Sequence, residues 1–267
     1  MKKMLIFIFI VLVVATVFDR EKINEKTKTC LVTGASSGIG CELARKMIKK
    51  GWKVIGIARR QEKLKKLKQE FGHKFIPYKC DVGDLNQIIK TSELIKKQLL
   101  KPTLFFLNAG VGESEFKFNP LIKQHKKIFN TNYFGAVAWI DEWIKDVKKY
   151  GGGTFVAISS VTALFAMPGS SGYSSSKAAL NSCFSALRLQ YYDEGIKFVT
   201  VMPGPVDTDM LKSTKPLPYT HQADEEAKYI IKEVFKGKTQ IEPAWFYSIL
   251  CRILSWLPDN LTLRIIK

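Results

Sequence analysis

Short apolar runs alternate with amphipathic segments along most of the chain. In chain order the apolar runs read TCLVTGA, KVIGIAR, KFIPYKCDV, TLFFLNAG, GTFVAISS and IKFVTVMPG. Most runs are followed by a stretch with apolar residues at helical spacing, which predicts a strand and then a helix. Such alternation indicates right-handed crossovers and a parallel sheet. Because several runs are almost continuously apolar, we expect an α/β protein with a doubly wound parallel sheet and helices on both faces.

Glycine, small and polar residues follow the predicted strands. In a Rossmann-type sheet of this kind, ligands bind in the crevice beyond the carboxyl ends of the strands. The turn at residues 33–40, TGASSGIG, comes after the first strand and opens a helix. Gly34 permits a tight turn, and Gly38 and Gly40 let the backbone approach a pyrophosphate at the positive helix N-terminus. The turn therefore predicts a dinucleotide site.

Tyr173 and Lys177 are four residues apart in the segment GYSSSKAALNSCF. The alanines and leucines that follow favour a helix, so the phenol and the ammonium are expected on one helix face. Free tyrosine, with a pKa of about 10, transfers protons poorly at neutral pH. A lysine one turn away favours the phenolate and lowers that pKa. The pair is a candidate general acid/base.

Taken together, the motifs resemble the short-chain dehydrogenase/reductase family over residues 29–208. They occur in the order TGxxxGIG at 33–40, Asp81-Val82, NAG at 108–110, Asn132, Ser160, YxxxK at 173–177 and PGxVxT at 203–208. Each motif is weak alone, whereas the ordered set is specific. One minor departure is Leu107, where many members have an asparagine. The resemblance implies an oxidoreductase that interconverts a carbonyl and an alcohol by hydride transfer.

The resemblance also implies a role for each matching residue. Tyr173 is the general acid/base, and Lys177 also binds the nicotinamide ribose. Ser160 holds the substrate oxygen and stabilises developing charge, with Ser159 as the competing candidate. Asn132 supports a water in a proton relay, and nearby Asn130 is interpreted as structural. Asp81 is expected to contact the adenine of the cofactor. The expected cofactor-binding residues are Gly34, Ser36, Ser37, Gly38, Ile39, Gly40, Arg59, Arg60, Asp81, Val82, Asn108, Ala109, Gly110, Tyr173, Lys177, Pro203, Gly204, Val206 and Thr208.

The end of the second predicted strand bears on the choice of cofactor. NAD enzymes of this architecture carry an acidic residue about 20 residues past the glycines, on the ribose hydroxyl. Ala58 stands in that place here, and Arg59 and Arg60 follow it. Guanidinium groups suit a 2′-phosphate, so we predict NADP(H). The alternative is that one arginine is only a surface charge at a helix start.

Charge and cysteine usage bear on three questions: which partners the protein binds, whether it has disulfides, and whether it holds a metal. The 267 residues include 42 Lys and Arg against 24 Asp and Glu, a net charge of +18. Residues 45–79 contain 13 of the basic residues and only two glutamates, which indicates solvated helix faces, an anionic membrane surface or a phosphate-bearing ligand. Nucleic-acid signatures are absent, so no such partner is expected. Five widely spaced cysteines and three separate histidines predict neither disulfides nor a metal site.

Both ends of the chain are apolar. Residues 4–18 carry no charge but are short for a bilayer, and no good cleavage site follows them. We therefore expect an uncleaved anchor at residues 1–20 and membrane localisation, the side of the membrane being open. A catalytic domain at residues 27–243 follows, with 207–243 as the substrate lid region. The apolar helix at residues 244–267 is interpreted as pocket cover, dimer contact or interfacial membrane helix.

Leu164, Phe165 and Met167 lie between Ser160 and Tyr173, which favours a lipophilic substrate. The anchor and the apolar C-terminal helix are similar to membrane-associated hydroxysteroid dehydrogenase-like and ketosphinganine reductase-like members. We also expect a homo-oligomer, dimer or tetramer. The alternative function is a non-catalytic NADP-binding sensor or scaffold on the same fold. The intact set of four catalytic residues argues against it.

Overall fold

The computed structural model describes residue 23 and residues 27–112, 121–211 and 218–266. Its strands are β1 (Thr29–Thr33), β2 (Lys53–Ala58), β3 (Phe75–Lys79), β4 (Leu104–Leu107), β5 (Gly153–Ile158), β6 (Ile196–Val201), β7 (Val206–Asp207), β8 (His221–Gln222) and β9 (Gln240–Ile241). Its α-helices are α1 (Gly38–Lys49), α2 (Gln61–Phe71), α3 (Leu85–Lys97), α4 (Leu121–Phe129), α5 (Gly135–Lys149), α6 (Ser171–Gln190), α7 (Ala223–Phe235), α8 (Trp245–Trp256) and α9 (Asp259–Ile266). Short 3₁₀ turns lie at Gly72–Lys74, Val161–Ala163 and Tyr192–Glu194.

The strands form a seven-stranded parallel sheet in the order β3-β2-β1-β4-β5-β6-β9, and β7 and β8 form a small separate pair. The predicted doubly wound parallel sheet is confirmed. β1 lies where the strand order reverses, because β2 pairs on one side of it and β4 on the other. In register, Val32 is opposite both Gly56 and Phe106. The crevice beyond the ends of β1 and β4 is therefore the expected ligand site.

Two apolar layers cover the sheet. Cys30 and Val32 on β1 pack in the cluster that contains α1, α2 and α7, while Leu31 belongs to the cluster with α3, α5 and α6. Successive strand residues point to opposite faces, so one strand contributes to both layers. The second layer is rich in aromatic residues, including Trp139 and Trp143, which are fully buried on α5. Each large apolar side chain buried in this way contributes about 1.5–3 kcal/mol to stability.

A single turn of π-helix, Asn130–Phe134, joins α4 to α5. The sequence pattern predicts one continuous helix there, starting near Lys127. Such turns insert one extra residue and are frequent at functional sites. Gly135 follows directly, and a Cβ at this position would lie 2.3 Å from the carbonyl oxygen of Val82. The π turn and its glycine thus bring the helix against the segment after β3.

The described residues do not support the predicted membrane localisation. Among residues 27–112, 121–211 and 218–266, no helix combines the length and the apolar character needed to cross a bilayer. The segment that motivated the prediction, residues 4–18, lies outside the residues that the structure describes. The prediction of a membrane-anchored protein is therefore wrong for the described chain.

The C-terminal region contributes to both the core and the crevice. Ala227, Ile230 and Val234 on α7 are buried in the same cluster as α1. The apolar segment after β9 forms two helices, α8 and α9, separated by a short turn that includes Pro258. Helices usually end at or before the residue preceding a proline, which accounts for the break. The division of the chain into domain, lid region and C-terminal helix stays a prediction.

Candidate active site

A cavity of about 1400 Å³ opens beyond the carboxyl ends of the central strands. Most residues singled out from the sequence line it. These are Gly34, Ser36, Ser37, Gly38, Ile39, Arg59, Arg60, Asp81, Val82, Asn108, Ala109, Gly110, Ser160, Tyr173, Lys177, Pro203, Gly204, Val206 and Thr208. Gly40 and Asn132 are not among the lining residues and lie behind the wall.

The glycine-rich turn is held in a shape that side chains would disturb. Gly34 has a φ of +70°, a left-handed conformation that favours glycine. A Cβ on Gly40 would lie 2.5 Å from the carbonyl oxygen of Gly34. Gly40 therefore lets the first turn of α1 pack against the end of β1, whereas Gly34 and Gly38 face the cavity.

Thr33 ties the ends of β1 and β4 together. Its Oγ1 accepts hydrogen bonds from the backbone N–H groups of Asn108 and Ala109, both at 3.0 Å. In return, Nδ2 of Asn108 donates to the Thr33 carbonyl at 3.1 Å. Thr33 had no predicted role, although it is the first residue of the TGASSGIG turn. These three hydrogen bonds hold the carboxyl ends of the two strands together.

Lys177 lies buried at the back of the cavity, one helical turn below Tyr173 on α6. The lysine is 3% exposed, and its Nζ donates to the Ile158 carbonyl at 2.7 Å. Nζ is 5.6 Å from the centroid of the Tyr173 ring, which is within the range of a cation–π contact. Burial lowers the pKa of Lys177 to about 8. At neutral pH the lysine is therefore mostly an ammonium, close to the half-buried phenol.

The hydroxyls of Ser159 and Ser160 have different surroundings. Ser159 Oγ donates to the backbone carbonyl of Lys177 at 3.3 Å. Ser160 Oγ accepts from the Thr162 backbone N–H at 3.2 Å and from the Thr162 hydroxyl at 3.0 Å. Since Ser160 accepts both bonds, its own O–H proton is available to a ligand in the cavity. This geometry favours Ser160 over Ser159 as a donor to a substrate oxygen.

Asn132 connects the loop after β4 to α6. Its Oδ1 accepts from the Val111 N–H at 2.8 Å, and its Nδ2 donates to the Val111 carbonyl and to Ser176 Oγ, both at 3.0 Å. A Cβ on Gly110 would lie 3.4 Å from both Asn132 Oδ1 and Lys177 Nζ. The glycine therefore keeps the space between amide and ammonium clear of side-chain atoms.

Arg59 and Arg60 point to different partners. Arg60 donates from Nε to Ser36 Oγ at 3.1 Å and from Nη2 to Ser37 Oγ, so its guanidinium lies against the glycine-rich turn. Arg59 Nη1 lies 3.8 Å from Asp81 Oδ2. The sequence alone did not separate the two arginines. The structure assigns Arg60 to the turn and Arg59 to Asp81.

The far side of the cavity is apolar. Residues of α8 recur there at helical spacing and face inward, and α9 adds its last turn. The apolar and aromatic lining residues on this side are Phe165, Met167, Met210, Leu211, Tyr247, Leu250, Leu254, Ile265 and Ile266. Of the residues proposed from the sequence, Phe165 and Met167 line the cavity and Leu164 does not. The sequence pattern predicted one apolar helix over residues 244–267, with pocket cover as one interpretation, but pointed to no particular residue of α9, because a pattern over eight residues is too short to show which face is buried.

One face of α8 covers the pocket and the other is exposed. Leu250 and Leu254 line the cavity, whereas Ile249 and Ile253 are 48% and 52% exposed. The interpretation of this segment as pocket cover is supported for the inward face. Within the described ranges, no group of three or more His, Cys, Asp or Glu residues is arranged to hold a metal ion.

Comparison with known proteins decides the family. The profile of the family described as short chain dehydrogenase matches residues 28–217, well over half of the chain. The chain belongs to the short-chain dehydrogenase family. It is an oxidoreductase of that family, which confirms the resemblance drawn from the motifs.

Relatives of this short-chain dehydrogenase cover most of its length. An uncharacterized oxidoreductase of Myxococcus xanthus is 26% identical over 238 residues, 88% of this chain and 94% of the relative. A fatty acyl-CoA reductase of Acinetobacter baylyi is 30% identical over 229 residues, 82% of this chain and 76% of the relative. A crystal structure of a short chain dehydrogenase from Burkholderia cenocepacia in complex with NADP has a TM-score of 0.76 at 22% identity, covering 90% of this chain and 97% of that one. This last likeness confirms the fold.

Proposed function

We propose that this short-chain dehydrogenase is an NADP(H)-dependent enzyme that interconverts a lipophilic carbonyl compound and its alcohol. One observation carries the proposal: the buried ammonium of Lys177 lies beneath Tyr173 in a cavity that is polar on one side and apolar on the other. That arrangement supplies a proton donor next to space for an apolar substrate. Asn132, Ser160, Tyr173 and Lys177 are the proposed catalytic residues, of which Asn132 acts by positioning.

The cofactor end of the cavity fits a phosphorylated dinucleotide. Gly34 and Gly38 leave the turn without side chains at the start of α1, where backbone N–H groups can bind a pyrophosphate. Arg60 adds a guanidinium beside Ser36 and Ser37, which suits a 2′-phosphate. The NADP in the Burkholderia structure is consistent with this choice. Bound NADPH supplies the hydride for reduction, and NADP⁺ accepts it in the reverse direction.

The protein groups handle the proton. In reduction, the Tyr173 hydroxyl donates a proton to the oxygen of the substrate as that oxygen gains negative charge. Ser160 donates a hydrogen bond to the same oxygen and so stabilises the developing charge. Lys177 stabilises the phenolate that remains on Tyr173. Asn132 holds Val111 and Ser176 in place, which fixes the loop and the helix on either side of Lys177.

The apolar side of the cavity supports a lipophilic substrate. Burying apolar surface is worth about 25 cal/mol per Å², so a substrate with an alkyl chain or ring system gains affinity from such walls. The Acinetobacter relative is named for a fatty acyl substrate, which agrees with this chemistry. The narrower resemblance to hydroxysteroid dehydrogenase-like and ketosphinganine reductase-like members stays a prediction, as does the homo-oligomer.

A spectrophotometric screen tests the proposal. The protein is mixed with NADPH or NADH and a series of ketones and aldehydes of increasing alkyl length, and absorbance loss of the reduced nicotinamide is followed. We expect faster oxidation with NADPH than with NADH, and activity that rises with alkyl length. Tight NADPH binding without oxidation by any carbonyl compound would favour the sensor or scaffold function instead.

A further inference from the structure

A carboxylate lies at the cationic end of the cavity. Oδ2 of Asp209 is 3.4 Å from Nη1 of Arg60 and 3.6 Å from Nζ of Lys63. One carboxylate oxygen is thus shared by two cations from different elements, since Arg60 precedes α2 and Lys63 lies in its first turn. All three side chains are about half exposed.

These groups border the proposed cofactor site. Arg60, Ser37 and Asp209 line the main cavity. Ser37 and Asp209 also line an adjoining recess of about 280 Å³, where Lys63 joins them. Thr208, the residue before Asp209, packs against the glycine-rich turn, because a Cβ on Gly38 would lie 2.9 Å from its Cγ2. Asp209 is therefore held where a 2′-phosphate on a bound dinucleotide would meet Arg60.

A carboxylate and a phosphate compete for the same donors. Both are oxygen anions that accept charge-assisted hydrogen bonds from guanidinium and ammonium groups. They cannot both contact Arg60 and Lys63 at close range without repelling each other. The phosphate carries more negative charge than a carboxylate at neutral pH, so it binds the two cations more strongly. The net free energy of phosphate binding is smaller, however, because the ion pairs of Asp209 are broken when the phosphate binds.

We propose that Arg60 and Lys63 form the 2′-phosphate subsite, and that Asp209 forms ion pairs with both cations until the phosphate displaces it. Asp209 then lowers the preference for NADP(H) over NAD(H), and Lys63 is a second specificity-determining cation beside Arg60. This inference rests on the proposed function. It goes beyond it by assigning the subsite to this pair and by giving a residue on the substrate side a role in cofactor choice.

Titration calorimetry with adenosine 2′,5′-bisphosphate and with 5′-AMP tests the role of Asp209, because neither probe depends on hydride transfer. In Asp209→Asn we expect the bisphosphate to bind about two- to fivefold tighter, as for loss of an exposed ion pair, with 5′-AMP unchanged. Asp193→Asn removes the same charge from an exposed residue in the turn after α6, which lines neither the cavity nor the recess, and should change neither affinity. In high salt the gain in Asp209→Asn should shrink.

Replacement of Lys63 is the companion measurement. Lys63→Ala should weaken the bisphosphate about three- to tenfold and leave 5′-AMP unchanged, because only the bisphosphate carries the 2′-phosphate. Lys65→Ala is the matched control, since Lys65 is on the same helix and pairs with Glu62 at 3.2 Å. Unchanged melting temperatures would show that each variant is folded.

The outcomes separate this inference from the proposed function. If Asp209→Asn weakens the bisphosphate, Asp209 supports Arg60 and the competition is wrong. If it leaves the bisphosphate unchanged while NADPH remains the preferred cofactor in turnover, the inference fails and the proposed function stands. If wild-type protein binds the bisphosphate no tighter than 5′-AMP and oxidises NADH as well as NADPH, both the subsite and the cofactor assignment are overturned.

Discussion

Among single residues, Tyr173 and Lys177 have the most closely defined chemistry. The phenol is half-buried at the cavity wall, and the ammonium behind it donates to the Ile158 carbonyl at 2.7 Å. A buried lysine loses hydration, so its neutral form becomes more accessible. The hydrogen bond to Ile158 and the contact with the Tyr173 ring replace the lost hydration of the ammonium only in part. Burial therefore lowers the pKa of Lys177 to about 8.

The first prediction concerns the proton on Tyr173. Tyr173→Phe removes the hydroxyl and keeps the ring, so turnover should fall about 10²- to 10⁴-fold, the usual contribution of general acid–base catalysis. NADPH affinity, measured by fluorescence titration, should change little. Tyr192→Phe is the control, because Tyr192 is 69% exposed in the 3₁₀ turn that follows α6. Near-normal hydride transfer by Tyr173→Phe in a single turnover would contradict the acid/base role.

The second prediction follows from the lowered pKa of Lys177. The pKa of this lysine is about 8 in the folded protein and 10.5 in the unfolded chain. Between these values the unfolded chain holds a proton that the folded protein has lost, so the stability contribution rises with pH and is lost as pH falls toward about 8. Relative to Lys177→Met, the wild-type free energy of unfolding should rise by about 2 kcal/mol between about pH 7 and about pH 9.5.

Urea denaturation at the two pH values measures this difference. Titrating groups other than Tyr173 are common to both proteins and cancel in the comparison, and carrying out the measurement in a Tyr173→Phe background removes the phenol as well. A constant difference between wild type and Lys177→Met would show that the lysine keeps an ordinary pKa when buried.

Among the elements, α8 has two faces with different tasks. Its inward residues Leu250 and Leu254 line the cavity together with Phe165 of the loop between β5 and α6. Ala244, the residue before its first turn, packs close to the loop after β6, because a Cβ on Gly204 would lie 2.6 Å from Cβ of Ala244. The helix is therefore fixed near the proposed cofactor end and forms a wall of the proposed substrate end.

The third prediction tests that wall. Leu250→Arg places a charge on apolar surface, where it lacks a partner and disfavours a lipophilic substrate. We expect kcat/KM for a long-chain carbonyl compound to fall at least about tenfold, while the dissociation constant for NADPH stays the same. Ile249→Arg is the matched control on the exposed face of the same helix and should retain activity. Equal losses in the two variants would indicate that α8 acts through stability rather than as a substrate wall.

At the scale of the whole molecule, the candidate site depends on both halves of the sheet. The glycine-rich turn and Arg60 follow β1 and β2, whereas Ser160, Tyr173 and Lys177 follow β5. The network around Thr33 connects the two halves at β1 and β4. A dinucleotide that spans the crevice contacts both halves and stabilises the assembled fold over the unfolded chain.

The fourth prediction uses this linkage to separate the two arginines. At about 100 times its dissociation constant, NADPH should add about 2.7 kcal/mol to the free energy of unfolding, which raises the melting temperature by about 5–10 °C. At the same NADPH concentration, Arg60→Ala should lose a large part of this shift and Arg59→Ala much less, because Arg60 lies at the turn and Arg59 pairs with Asp81. The shift produced by NADH should be similar in all three proteins. Equal losses of the NADPH shift would show that the arginines act together.

The sequence by itself determined the order of strands and helices, the parallel sheet and the position of the glycine-rich turn. Most of the site residues that it named line the cavity, because the signals that named them are local: periodicity of two or 3.6 residues, glycines in a turn, and a tyrosine and lysine one helical turn apart. The tertiary structure alone decided which arginine lies at the turn and that Asp209 bridges Arg60 and Lys63. It also showed that the amide of Asn132 is committed to Val111 and Ser176, and that α9 reaches the pocket. These facts join residues far apart in the chain, and their distances depend on how the helices pack against the sheet, which no short segment encodes.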